Sequence, residues 1–199
     1  MALAMTDKVL ADAVWPEAAR GRLLRQAALV VAGVVFMIAM AKIRVPMWPV
    51  PITMGTFAVL TLGAAYGPRL GLVTILGYLL IGALGFDVFA SSAADNAGLS
   101  YMLGGTGGYL VGYVLAVAAL GMAARAGWDR SVGGMAAAML LGNAIIYVPG
   151  VAWLGVLYGW DQPLLQWGLF PFLIGDALKL GLAALLVPAL WKLVAKARG

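Results

Sequence analysis

The chain has 199 residues, 64% of them hydrophobic and 11% charged, with mean hydropathy +0.99 and a formal net charge of +5. A water-soluble domain is nearer 45–50% apolar and about 25% charged, so the composition excludes an ordinary soluble fold and defines an integral membrane protein. Cys and His are both absent, which excludes disulfides, cysteine nucleophiles and thiolate or imidazole metal sites, and no metal or other cofactor is expected.

At roughly 20 residues per span plus short loops, the length suits six helices in one domain. The expected fold is therefore an all-α integral membrane protein with six transmembrane helices over residues 23–199, preceded by a cytoplasmic tail over residues 1–22. The tail is mixed and polar, with Asp7, Asp12, Glu17 and Trp15-Pro16, and has room for a short surface helix. It lacks the basic-then-apolar order of a cleavable signal peptide. Residues 23–43 form the first apolar run, with Ala28 and Ala32 at the small-xxx-small spacing that lets another helix approach closely.

Residues 45–52, VPMWPVPI, hold Pro46, Pro49 and Pro51 and read as a stiff extended loop, since proline lacks the amide hydrogen and disfavours helix in the residue before it. A short second helix over 53–66 is ended by Gly67-Pro68, and a third follows over 70–84. Residues 85–105 read as a long loop, a length at which loops are often functional. The fourth helix, 106–126, opens beside Gly104, Gly108 and Gly112, whose spacing of four makes a face for tight helix packing. The fifth, 132–158, is interrupted by Pro149-Gly150, and the sixth covers 168–194 before a basic end.

The charges report orientation rather than nucleic-acid binding. With the N-terminus cytoplasmic, inner segments hold Lys8, Arg20, Arg22, Arg25, Arg69, Arg125, Arg130, Lys192, Lys196 and Arg198, ten of the thirteen basic residues. Only Lys42 and Arg44 fall outside, where Asp87, Asp95 and Asp161 also lie. That asymmetry predicts both termini inside, a multi-pass protein of the plasma (inner) membrane, with Trp48, Trp160 and Trp167 at the outer interface and Trp128 and Trp191 at the inner one.

The stretch FPFLIGDALKL, residues 170–180, places Asp176 and Lys179 three apart on one helix face inside an apolar run. Each charge at a span's centre costs roughly 2.5–3.5 kcal/mol on insertion scales, so such groups face a cavity or a partner. Two roles suit the pair: an ion pair that only joins helices, or the polar floor of a substrate site. Asn143 on the fifth helix falls at similar depth. It is either a further contact to a ligand or an interhelical hydrogen bond. From the outer loop, Asn96 can donate and accept, and Tyr101 offers a flat ring with a polar tip, as a ligand contact or as an interface anchor. Together these groups suit a small ligand with donors, acceptors and an apolar body.

Five stretches then carry a family resemblance: VPITMGTFAVL (50–60), GPRLG (67–71), GYLLIGALGFDVFA (77–90), YMLGGTGGYLVGY (101–113) and FLIGDALK (172–179). In this combination the chain resembles the BioY family, the biotin-specific substrate-capture (S) components of energy-coupling-factor (ECF) vitamin transporters. The resemblance implies a six-helix protein that binds biotin from outside with high affinity. The family's DxxK falls on Asp176 and Lys179, and its outer loop before TGGYL points to Asn96 and Tyr101. It also implies partners: a transmembrane coupling (T) subunit, docked on the small residues Ala28 and Ala32, and cytoplasmic ATPase subunits. Gly55 stands where the PxTxQT pattern has Gln, and Gly105 where GPTGGYL has Pro.

The chain has no GxxxxGK[ST], so it cannot hydrolyse ATP by the P-loop route, and it is expected to be a non-catalytic transport subunit. An intramembrane aspartyl protease would need a second acid at matched depth, and only Asp176 lies inside a helix. Two alternatives keep the same site: a stand-alone facilitator for biotin, and a capture subunit for another vitamin.

Overall fold

The computed structural model of the chain describes residues 8–15, 21–91 and 97–198. In hydrocarbon an unpaired backbone group costs several kcal/mol, and a helix pairs its own groups within the segment, which is why these apolar runs are helical. In chain order the elements are α1 (Leu10–Val14), α2 (Arg22–Lys42), β1 (Arg44–Val45), β2 (Ile52–Thr53), α3 (Gly55–Ala83), α4 (Gly98–Met102), α5 (Gly107–Arg125), α6 (Val132–Tyr158), α7 (Leu164–Gly168) and α8 (Phe170–Arg198). Among the described residues five helical runs are long and apolar enough to cross a membrane: α2, α3, α5, α6, and α8 together with α7.

The expected second and third helices are one run, α3, broken at Gly67, whose φ of 74° and ψ of 177° are non-helical. Glycine takes that positive φ without steric cost, and Pro68 suits the first position of the second half, where no N–H partner is needed. The halves fold back on each other. A Cβ built on Gly71 lies 3.7 Å from the Cα of Gly63, whereas eight residues of straight helix would separate them by roughly 12 Å. Gly121 of α5 fits against this corner, where a Cβ would sit 2.3 Å from the nitrogen of Pro68.

Other expectations need correction. The segment of three prolines is not merely extended: its arms pair as an antiparallel hairpin, Arg44 opposite Thr53 and Val45 opposite Ile52. The loop over 85–105 contains α4. Pro149 does not interrupt α6, which continues to Tyr158, and the last span is preceded by α7 and a break at Leu169. The helix in the tail is not on the surface. Leu10, Ala11 and Ala13 of α1 are buried, and the buried Arg25 of α2 holds it by donating to the Ala11 carbonyl at 2.9 Å and to Asp12 at 3.0 Å.

Two ends of the bundle follow from these contacts. At one lie α1, the Gly67 corner, the turn Trp128–Arg130 and the end of α8: Gly67 neighbours Val9 and Arg125, Arg130 donates to the Lys8 carbonyl, and Trp191 donates to Asp129. Trp191 is buried against this turn, at the termini end. At the other end lie the hairpin, the segment after α3, and α7, with Trp48, Tyr158 and Trp167 packed edge to face.

Candidate functional site

At the hairpin end a cavity opens among the hairpin, the start of α3, the segment after α3, α5, α6 and α8. Val50 and Pro51 form one wall, Phe89 and Tyr101 another, and Tyr109, Tyr113, Tyr147 and Phe172 close the remainder. Tyrosine suits such a lining because its body is apolar and its tip is polar. Most of these hydroxyls already have backbone or side-chain acceptors: Tyr78 donates to the Val88 carbonyl at 3.1 Å, and Tyr109 to the Gly168 carbonyl at 2.7 Å.

Lys179 lines this cavity, and behind it stands Asp176, which borders the neighbouring groove between α6 and α8; the two are 6% and 5% exposed. Their spacing on α8 brings Lys179 Nζ within 3.0 Å of Asp176 Oδ1. Thr56, in the first turn of α3, bridges the pair: its hydroxyl donates to Asp176 Oδ1 at 3.2 Å and accepts from Lys179 Nζ at 2.9 Å. The Tyr147 hydroxyl, from α6, donates to Asp176 Oδ2. Removing two charges from water costs several kcal/mol per ion, and only added hydrogen bonds of this kind make the burial tolerable. Lys179 and Thr56 line the cavity directly, so the cluster presents a polar, overall neutral surface to whatever enters.

The other expected residues are distributed less simply. Tyr101 is buried in the cavity wall from α4, its ring stacked on Phe89 with centroids 4.9 Å apart. Burial raises the pKa of its hydroxyl, so it stays a neutral donor and acceptor. Asn96 lies outside the described residues. Asn143 does not line the cavity. It is buried in a groove between α6 and α8, beside Leu140, Leu173 and Asp176, and its Oδ1 has no hydrogen-bond partner. Ala28 and Ala32 are exposed on α2, and Ala32 borders a groove shared with Leu186 and Leu190 of α8.

Thr56 and Tyr147 were not legible as site residues. A hydroxyl inside a span is inexpensive and common, so neither carries the alarm that a charge does. One signal existed for Tyr147: it follows Asn143 by four residues and so shares a helix face with it. Gly55 also has a physical role. A Cβ there would lie 2.7 Å from the Tyr113 hydroxyl and 2.9 Å from Thr53 Oγ1, so the bare Cα admits both hydroxyls to the cavity edge.

An apolar helical bundle with a polar cluster enclosed beside a cavity at one end defines a multi-pass membrane protein with a candidate ligand site. The comparisons make the class specific. The family model described as the BioY family matches residues 7–196, and the chain belongs to that family. It is similar to the probable biotin transporter BioY of Pyrococcus horikoshii, 33% identical over 75% of this chain and 86% of that protein. It is also similar to the biotin transporter BioY of Thermotoga maritima, 33% identical over 77% of this chain and 88% of that one. Among solved structures, the S-component for biotin from an ECF-type ABC transporter superposes with a TM-score of 0.72 over 88% of this chain and 95% of its own, at 21% identity, a likeness of fold.

Proposed function

We propose that the chain captures biotin from outside the cell as the substrate-binding subunit of an ATP-driven ECF transporter. The observation that carries this reading is the Asp176–Lys179–Thr56–Tyr147 cluster beside an aromatic-walled cavity in a chain whose relatives are named biotin transporters. Biotin has a fused bicycle with an apolar body and a ureido edge, which offers two N–H donors and one carbonyl. The ureido N–H groups replace Thr56 as donors to Asp176. Lys179, whose ammonium has three protons and spends two on Asp176 and Thr56, directs the third at the ureido carbonyl. The aromatic rings enclose the bicycle, with Tyr101 closing from the segment after α3.

In this reading the two halves of α3 cross separately, giving six crossings. Both termini are cytoplasmic and the cavity opens outward. Support comes from the basic residues at the termini end, including Arg69, Arg125, Arg130, Lys192 and Lys196. Energy comes from a T subunit and cytoplasmic ATPases, and the outward-facing Ala28 and Ala32 suit close approach by a partner helix. The test is biotin binding by the purified chain in detergent beside Asp176→Asn. Tight, saturable binding that falls at least roughly tenfold in the variant is expected, because a charge-assisted hydrogen bond contributes about 1.5–3 kcal/mol. A folded wild-type chain that does not bind biotin would overturn the reading.

A further inference from the structure

Biotin also ends in a carboxylate, ionised at neutral pH, and the cluster described above has no cation to spare for it. Lys179 is paired with Asp176 at 3.0 Å, and Lys42, near the cavity rim, is paired with Asp87 at 2.5 Å and donates to the Phe89 carbonyl at 2.8 Å. Arg44 differs from both. In β1 it stands opposite Thr53, whose side chain lines the cavity. Its guanidinium donates to the carbonyl of Ala90, itself part of the cavity wall, and acts electrostatically on the Tyr101 hydroxyl in that wall. No described carboxylate pairs with it.

We infer that Arg44 holds the ligand's carboxylate and thereby fixes the direction in which the ligand enters, ureido edge toward Asp176 and acid tail toward the hairpin. This rests on the biotin reading of the cluster. One of the five N–H groups of Arg44 is committed to Ala90, which leaves an edge of the planar fork for a bidentate carboxylate. The charges balance as well. Asp176 and Lys179 cancel, so Arg44 leaves the site with one positive charge for a ligand with one negative charge. Arg44 itself borders the neighbouring groove between the hairpin and α8, and the Ala90 carbonyl holds its guanidinium against the cavity wall, so little rotamer freedom is lost on binding.

The experiment compares biotin with biotinamide, in which the carboxylate is replaced by a neutral amide, on wild type and Arg44→Gln in detergent. Wild type is expected to prefer biotin by roughly 10- to 100-fold, and that preference is expected to disappear in Arg44→Gln. Binding of biotinamide by the variant also certifies that it is folded. If the variant keeps the wild-type preference, or wild type has none, Arg44 does not hold the carboxylate although the biotin reading stands. If folded wild type binds neither ligand, the biotin reading falls and takes this inference with it.

Discussion

Asp176 and Asp129 are both buried carboxylates, and their surroundings differ. Asp176 accepts from three side chains, Thr56, Tyr147 and Lys179, so both of its oxygens are satisfied. Asp129, in the turn between α5 and α6, is 1% exposed and accepts from Trp191 Nε1 at 2.6 Å. Its Oδ1 has no hydrogen-bond partner. Burial is the main influence and raises its carboxyl pKa above the ordinary 3.8, outweighing the Trp191 bond and the Arg130 charge. A raised folded-state pKa means that the native chain holds the proton more tightly than the unfolded chain. The associated stability is therefore complete below 3.8 and is lost as pH rises through the folded value. Asp129→Asn keeps an acceptor for Trp191 and removes the ionisation. The Tm of the variant minus that of wild type, measured in detergent, is thus expected to grow as pH rises from about 4 toward neutrality. A difference that stays constant over that range would show that Asp129 does not titrate there. The same contrast explains what the sequence made legible in the site. Asp176 and Lys179 stand out because charge in an apolar run is costly, while Thr56 and Tyr147 hide because hydroxyls are not.

Helix packing in this chain depends on missing side chains more than on interlocking large ones. A Cβ on Gly108 would lie 2.2 Å from the Pro149 carbonyl oxygen, and one on Gly112 would lie 2.7 Å from the Cα of Ile146. Both contacts are with backbone, which cannot yield as the end of a flexible side chain can. Gly112→Ala must therefore push α5 from α6 and shift Tyr109 relative to Tyr147 across the cavity, whose rings lie 6.1 Å apart. Overpacking of this kind costs about 1–3 kcal/mol, or roughly 3–10 °C in Tm for a chain of this length. Gly133→Ala, where nothing lies within 4 Å of the added Cβ, is the control, and no fall is expected there. Equal Tm values for the two variants would refute the close-packing account. The Gly108–Gly112 face was readable because both residues lie on one helix at a regular spacing. Gly104 belongs to that spacing but not to the helix, and instead its carbonyl accepts from Trp153 Nε1 at 2.9 Å. Gly33 and Gly121, which Thr74 and Pro68 press against, were not readable, since no small residue stands four positions from either to mark a packing face. The segment GLSYM is too short to show helical periodicity, which is why α4 was read as loop.

At the scale of the molecule, the order of the long helices was legible in their apolar runs, and Gly67-Pro68 marks a true break while Pro149-Gly150 marks none; the hairpin's pairing and the burial of α1 depend on contacts between distant segments. Charge supplies the remaining global signal, and it bears on which end faces out. The hairpin end has Lys42 and Arg44 beside Asp87 and Asp161, and the termini end is predominantly basic. A membrane protein retains basic short loops on the cytoplasmic side, so the cavity end should face outward. The native chain has no cysteine, which makes single-cysteine variants clean reporters. Asp161 and Arg69 are both exposed, the first after α6 at the hairpin end and the second beside the Gly67 corner at the termini end. In intact cells a membrane-impermeant maleimide is expected to modify Asp161→Cys and spare Arg69→Cys, and after the membrane is opened it should modify both. The reverse pattern would place the cavity on the cytoplasmic side and rule out capture from outside, whatever the ligand. Modification of both in intact cells would mean that the Gly67 corner lies on the same side as the cavity mouth. In that case the two halves of α3 would not cross separately, and the six-crossing topology would fail even if biotin binding were secure.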